Sequence, residues 1–278
     1  MNRFCLTLFA VLCLSAAVPA HAAPAEDAPP EAEAFYQVEL PAGEKAAGVA
    51  LSARVAFPSL PRAVDEVSVS GVPVRLPSPV PPAAAADGRT AAVFAEEPQA
   101  NGKIEYVYDG AAFDDFPRDG RTDWSLGTKC VSEVAAFFEI ANPFPFTLPA
   151  GEWTVARRSE RAAPQVFPPV RAEALRARQR RRLALGAAPN LSGGRMRLAI
   201  GEIVPGSVLE ERFAVTVRNA GEEPRAVKVV EHFYRGGLPR LAEADAPHEL
   251  AGPGAVAFRL LVPARGEKSV NYTVQYTW

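Results

Sequence analysis

Cysteine and histidine are scarce in this 278-residue sequence, and their scarcity argues against several kinds of protein. It contains three cysteines and three histidines. Cys5 and Cys13 fall within the first 22 residues, so Cys130 is the only cysteine in the rest of the chain. One thiol cannot form an internal disulfide, and no His or Cys spacing typical of zinc ligands is present. The sequence therefore predicts no disulfide framework, no metal site and no cofactor.

The sequence also lacks a large charge excess and, after its beginning, a long apolar run. Its formal net charge is −2, which argues against a bulk polyanion such as nucleic acid as a partner. A membrane-spanning helix needs about 20 predominantly apolar residues. We therefore expect no nucleic-acid binding and no transmembrane helix in the mature chain.

The first 22 residues have the layout of a secretory signal peptide. Arg3 supplies a positive charge, residues 4–17 are apolar, and Ala20-His21-Ala22 matches the small-x-small cleavage pattern. Residues 23–34, APAEDAPPEAEA, show no apolar periodicity and predict a disordered leader. We expect an exported protein of the periplasm or cell surface.

Short runs of β-branched or alternating apolar residues follow from Phe35 onward, separated by Pro and Gly. Such runs predict strands, and many short strands predict an all-β fold, here an antiparallel Ig-like or Greek-key β-sandwich. We expect a smaller β-rich N-terminal region at residues 35–125, with a Pro-rich linker at 72–88, and a C-terminal sandwich domain at residues 126–278. Residues 171–185, rich in Ala, Leu and Arg, fit either a helix or a strand.

The last ten residues, SVNYTVQYTW, alternate strictly between apolar and polar side chains. This pattern alone also fits the closing strand of an outer-membrane β-barrel. The short, Pro-broken segments of the first half favour a sandwich instead, because a barrel needs uninterrupted lipid-facing strands. We expect the core to be contacted by Val270, Tyr272, Val274 and Tyr276. The side chains expected to face water are Asn271, Thr273 and Gln275. Trp278 should cover the end of the core.

Three stretches carry a resemblance to a known family. They are VTVRNAGEEPRAVKVVEHFYR, NPFPFTLPAGEWTVAR and the closing LVPARGEKSVNYTVQYTW. Together they resemble the bacterial domain of unknown function 4139 family, the C-terminal domain of mucoidy inhibitor A-like envelope proteins, over about residues 130–278. The resemblance implies a secreted β-sandwich and supplies no catalytic residue. The distinct N-terminal domain and coiled-coil insertion of larger members are not visible in this sequence.

A run of arginines is the strongest candidate for a binding site. Six arginines fall within residues 171–182, where Glu173 is the only acidic residue. Arginine pairs bidentately with carboxylate and phosphate, so the run predicts an envelope protein or an anionic surface polymer as partner. A solvated surface is the alternative. The candidate binding residues are Arg176, Arg178, Arg180, Arg181 and Arg182.

The remaining candidates are weaker. His232 and His248 lack ligand spacing, and the aspartates between Asp109 and Asp123 suit turns better than a Ca²⁺ loop. No G-x-S-x-G motif is present, and Cys130 is expected to be a buried structural residue. The sequence predicts a non-enzymatic binding or assembly protein of the cell envelope. The alternatives are an integral outer-membrane β-barrel protein and an envelope hydrolase whose site is not visible in the sequence.

Overall fold

The structure, a computed structural model, describes residues 28–42, 48–58, 63–80, 89–111 and 123–278. Within these ranges all regular structure is β-strand and there is no helix. The strands in chain order are β1 (Glu33–Leu40), β2 (Val49–Pro58), β3 (Val64–Val69), β4 (Val72–Val80), β5 (Arg89–Ala100), β6 (Gly102–Asp109), β7 (Glu133–Ala141), β8 (Gly151–Arg157), β9 (Gln165–Val166), β10 (Val170–Ala172), β11 (Arg180–Val204), β12 (Val208–Asn219), β13 (Arg225–His232), β14 (Leu238–Ala244), β15 (His248–Gly252), β16 (Ala255–Val262) and β17 (Gly266–Thr277).

The strands form three sheets. One sheet has the order β10-β8-β1-β2-β5, with β9 also paired to β8, and a second has the order β14-β17-β12-β11-β7-β6-β13-β16-β15. Strands β3 and β4 form a separate hairpin. Pairing is antiparallel except between β1 and β8 and between β6 and β13. The sheets are therefore mixed, with antiparallel pairs dominating.

The nine-stranded sheet bends into two layers because β11 passes from one to the other. Its residues up to Ala187 pair with β7, and its residues from Leu191 pair with β12. Gly186 and Asn190, with φ of 85° and 64°, lie where the register shifts and permit the bend. The opposite edges β14 and β15 are joined by only three residues, so they must also approach each other.

We call the two halves layer A and layer B. Layer A contains β14, β17, β12 and residues 191–204 of β11, and layer B contains residues 180–187 of β11 with β7, β6, β13, β16 and β15. Aromatic rings of the two layers meet in the core, where the ring centroids of Phe258 and Tyr272 lie 5.8 Å apart. The predicted all-β sandwich is confirmed, and its Ig-like strand order stays a prediction.

The closing strand β17 confirms most of its predicted pattern. Val270, Tyr272, Val274 and Tyr276 are each at most 2% exposed, and Asn271 is exposed. The prediction that Thr273 faces water is wrong, since it is 4% exposed. It lies on the outer side of layer A between its strand partners Arg212 and Glu243, whose longer side chains flank it. Gln275 is half-buried, and Trp278 lies beside Tyr276 with ring centroids 6.2 Å apart.

The disordered leader predicted for residues 23–34 is shorter than expected. The predicted signal peptide, residues 1–22, lies outside the described residues. The prediction that disorder extends to residue 34 is wrong, because Glu31 bridges to Ser68 and Ala34 is buried within β1. Apolar burial of that alanine anchors the end of the leader to the sheet.

The Pro-rich segment 72–88 is also not a linker throughout, since residues 72–80 form β4. This strand has a single partner, β3, so the missing N–H of each proline leaves no second neighbour unsatisfied. Pro77 and Pro79 fall in the stretch where the register shifts between Val64 and Glu66. Residues 81–88 lie outside the described residues.

Residues 171–185, which fit either a helix or a strand in the sequence, form a short strand, a turn and the start of a second strand. Residues 171–185 contain no helix: β10 ends at Ala172, a turn follows, and β11 begins at Arg180. Leu183 and Leu185 alternate into the core, which favours a strand over a helix.

Strand β6 lies between β7 and β13, and β8 pairs with β1, so strands from both sides of residue 125 take part in the same sheets. The domain division itself stays a prediction.

Candidate binding surface

The turn that precedes β11 presents two arginines to solvent. The backbone N–H of Gln179 donates to the Arg176 carbonyl at 3.0 Å, and the Gln179 side chain accepts from the Arg176 N–H at 3.0 Å. Arg178 has φ of 60°, a left-handed conformation that closes the turn. Both arginines are exposed, and neither guanidinium forms an ion pair within the described residues. Their positive charges are therefore available to a ligand.

Three more cations lie beyond this turn, on the outer side of layer B. Arg180 and Lys103 share the carboxylate of Glu139 at 3.3 and 3.7 Å, and Arg182 pairs with Glu105 at 3.0 Å. Odd-numbered residues of β7 and β6 and even-numbered residues of β11 point to this side, because their neighbours are buried. The alternation of the strands thus brings these charges onto one face.

We call the five cations Arg176, Arg178, Arg180, Arg182 and Lys103 the basic surface. In the part of the chain that the structure describes, two carboxylates, Glu139 and Glu105, pair with three of these five cations, which leaves an excess of positive charge among them. The cations of these ion pairs are exposed and the carboxylates half-buried. Surface pairs contribute about 0–1 kcal/mol each, so an incoming anion can compete with the carboxylates. The Arg182 guanidinium also lies 3.6 Å above the ring centroid of Phe137, which holds it flat against the sheet.

Arg181 and Arg171 do not join the basic surface. The Arg181 guanidinium donates to the carbonyls of Glu173 and Ala174 at 2.7 and 3.1 Å, which keeps it beside its own loop. Arg171 lies on β10, in the other sheet. Of the five predicted binding residues, Arg180 and Arg182 therefore lie on the outer side of layer B, and Arg176 and Arg178 lie in the turn that leads into it. Lys103 is an addition that the arginine run alone did not reveal.

A buried charged cluster lies between the layers and was not predicted. Arg195 Nε donates to Glu231 at 2.7 Å, and Tyr272 donates to the same carboxylate oxygen. The Arg195 side chain is 1% exposed and that of Glu231 0%. The guanidinium also lies 3.9 Å above the ring centroid of Phe213, which adds a cation–π contact in a desolvated place.

A second buried carboxylate, Glu211, completes this cluster. It accepts hydrogen bonds from Arg235 at 2.9 Å, from Arg197 at 3.1 Å and from Tyr234 at 2.7 Å. The three arginines of the cluster also donate to main-chain carbonyls of the segment 123–127: those of Asp123, Trp124, Leu126 and Gly127. The cluster thus fixes a segment whose own side chains are mostly exposed.

The electrostatics of this cluster are those of a structural support. Burial and the nearby Glu231 carboxylate raise the pKa of Tyr272 well above its usual value, so its hydroxyl stays a neutral donor. Burial alone would lower the pKa of Arg195, but the attraction of Glu231 outweighs it and raises that pKa. Both carboxylates are fully buried. Donors contact both oxygens of Glu211, whereas Arg195 and Tyr272 share one oxygen of Glu231 and the other has no hydrogen-bond partner among the described residues.

The histidines and aspartates of the sequence do not assemble into a metal site among the described residues. His232 Nε2 lies 2.9 Å from Asp109 Oδ2, and this hydrogen bond raises the pKa of His232. His248 lies beside the ring of Phe258. Asp123 accepts hydrogen bonds from Ser125 and closes a turn, while Asp114, Asp115 and Asp119 lie outside the described residues.

Cys130 is exposed, so the prediction of a buried structural cysteine is wrong. It forms an isolated bridge with Ala111 and lies before β7 begins, outside the layers that would cover it. Its groove of about 420 Å³ is lined by small and polar residues, including Ser132, Ser192 and Thr216. The groove places no histidine beside the thiol.

No protein-family model matches this chain, and no curated protein matches it. The resemblance of residues 130–278 to the domain of unknown function 4139 family therefore stays a prediction. Among the described residues, the structure contains no helix with the length and apolar character needed to cross a membrane.

Proposed function

We propose that this chain is an exported cell-envelope protein whose β-sandwich binds an anionic partner and catalyses no reaction. The N-terminal pattern with Arg3 and Ala20-His21-Ala22 supports export to the periplasm or the cell surface. The family resemblance supports the same location and an Ig-like sandwich. The partner is an anionic surface polymer or an acidic envelope protein.

One observation carries this proposal: Arg180, Arg182 and Lys103 lie on one side of layer B, next to the exposed turn with Arg176 and Arg178. Within the described residues, two carboxylates pair with three of these five cations. Arg176 and Arg178 contribute most of the excess, because they lie at an exposed turn and form no ion pair within the described residues. Guanidinium groups bind carboxylate and phosphate through paired N–H donors, so an anion is the ligand class that this surface suits.

Biolayer interferometry with the exported protein tests the proposal. The immobilised probes are polygalacturonate, vesicles containing anionic lipid, and neutral dextran. We expect binding to an anionic probe that weakens as salt rises from 0.1 to 1 M, since the screening length falls from about 10 to about 3 Å. Absence of binding to every anionic probe would refute an anionic partner.

A pair of variants distinguishes the basic surface from net charge. Arg176→Gln/Arg178→Gln should lower affinity about 2- to 30-fold, because two exposed charge contacts are lost. The matched control is Arg218→Gln/Arg240→Gln, which removes the same charge from the outer side of layer A. Equal losses in both variants would show that net charge alone governs binding.

A further inference from the structure

A second group of cations lies on the same outer side of layer B. Lys228 and Arg259 are strand partners on β13 and β16, and they share the carboxylate of Glu249 at 3.8 and 2.9 Å. The Arg259 side chain is 65% exposed. Glu249 is the carboxylate that pairs with both cations, whereas Asp109, on the same side of β6, pairs with His232. Within the described residues, Lys228 and Arg259 therefore share a single carboxylate. We call Lys228 and Arg259 the distal cations.

The pairing of the strands gives the separation between the two groups. Val107 of β6 pairs with Lys228, and Lys103 lies four residues earlier on the same side of β6. Four residues of strand span about 13 Å. Arg182 and Arg259 are also four strands apart in the sheet order, which adds about 19 Å across the sheet at roughly 4.8 Å per strand. A single phosphate or sugar cannot contact both groups.

The surface between the two groups is mostly apolar. It contains Ala226, Leu261, which is 61% exposed, and Phe137, whose ring face is covered on one side by the Arg182 guanidinium. Glu105 lies among them and is already bound by Arg182. A ligand that bridges the groups would therefore lay ring faces over the middle and contact the two groups of cations with carboxylates near its two ends.

We infer that the basic surface and the distal cations together bind one extended polysaccharide that carries carboxylates, along the outer side of layer B. Carboxylates are favoured because Glu139, Glu105 and Glu249 already occupy these cations, and sugar carboxylates would replace them in the same geometry. The apolar middle suits the faces of sugar rings. This inference rests on the proposed function and adds the ligand's length and chemistry to it.

Oligogalacturonates of increasing length provide the test. Affinity should rise steeply once the oligomer spans roughly 20 Å, because both groups then bind the same molecule and the second contact is intramolecular. Lys228→Gln/Arg259→Gln should weaken long oligomers about 2- to 30-fold and leave short ones unchanged. The control Arg218→Gln/Arg240→Gln should change neither. Unaltered thermal unfolding of each variant confirms that the fold is retained.

The possible results separate the two claims. If the wild-type protein binds no anionic probe, the proposed function fails. If it binds oligogalacturonates with an affinity that does not depend on length or on the distal cations, the proposed function survives and this inference is overturned. Binding to anionic vesicles with no binding to carboxylated oligomers also overturns the inference, because the ligand is then a lipid surface.

Discussion

Replacing Glu231 by leucine tests the structural role of the buried charged cluster. The substitution removes the carboxylate that lies 2.7 Å from Arg195 Nε and leaves a guanidinium that is 1% exposed. Removing one partner of a buried ion pair costs about 3–5 kcal/mol, because the remaining charge is neither hydrated nor neutralised. For a chain of this size, that loss lowers the melting temperature by roughly 6–20 °C.

Urea denaturation with linear extrapolation measures the effect directly, with thermal unfolding as a second readout. The control is Glu267→Gln, which removes the partner of Arg218 from an exposed pair at 3.0 Å and should cost less than about 1 kcal/mol. An unfolding free energy of Glu231→Leu within about 1 kcal/mol of the wild-type value would refute the reasoning, because a buried charge without a partner should destabilise the protein by more than that.

A double variant separates charge from packing. Arg195→Met/Glu231→Leu removes both charges and keeps apolar side chains of similar length in the core. Such replacements of a buried pair are often neutral or stabilising, so most of the single variant's loss should be recovered. However, the carbonyl of Gly127 loses its Arg195 donor in the double variant. Hydrogen exchange in the segment 123–127 should therefore stay faster than in wild type.

Three further predictions concern other sites. His232→Gln should destabilise the protein most below a pH of about 6.5, because the hydrogen bond to Asp109 raises the folded-state pKa of the histidine. The difference in unfolding free energy from wild type should shrink as pH rises through that pKa. A difference that does not depend on pH would contradict this prediction. Gly193→Ala should lower the unfolding free energy measured in urea by about 1–3 kcal/mol, because the new methyl group would collide with the ring of Tyr108. Gly194→Ala should be nearly neutral, because no heavy atom beyond its chain neighbours lies within 4 Å of the added methyl group. Cys130 should react with a thiol reagent in the native protein as fast as in urea, and slow native labelling would indicate burial.

The β-sandwich was predictable because its signal is local alternation. Each inward residue of β17 could be named from the sequence, and only Thr273 departed from the pattern. Its burial depends on Arg212 and Glu243, which lie on two other strands. The order of strands was not predictable, because pairings such as β8 with β1 join residues more than a hundred positions apart. Local periodicity contains no information about such partners.

The buried charged cluster did leave a signal in the sequence. Glu211 has the same parity as Phe213, Val215 and Val217 on β12, so the alternation directs it into the core. Glu231 has the same relation to Val227 and Val229 on β13. A carboxylate at a core position requires a buried cation, and Arg195 and Arg197 lie two positions apart on β11. The alternation of charged residues therefore predicts that these carboxylates are buried, although it does not identify which arginines pair with them.

The same parity divides the arginine run into residues with different roles. Arg180 and Arg182 lie two positions apart on the outer side of β11, where both are exposed and pair with half-buried carboxylates in contacts that contribute little to stability. Arg181, between them, is held by two carbonyls of its own loop. An arginine's position relative to the core, rather than the density of positive charge along the chain, therefore decides whether it supports the fold or remains available to a ligand. By this reasoning Arg176 and Arg178, which precede the strand, are the residues on which binding should depend most.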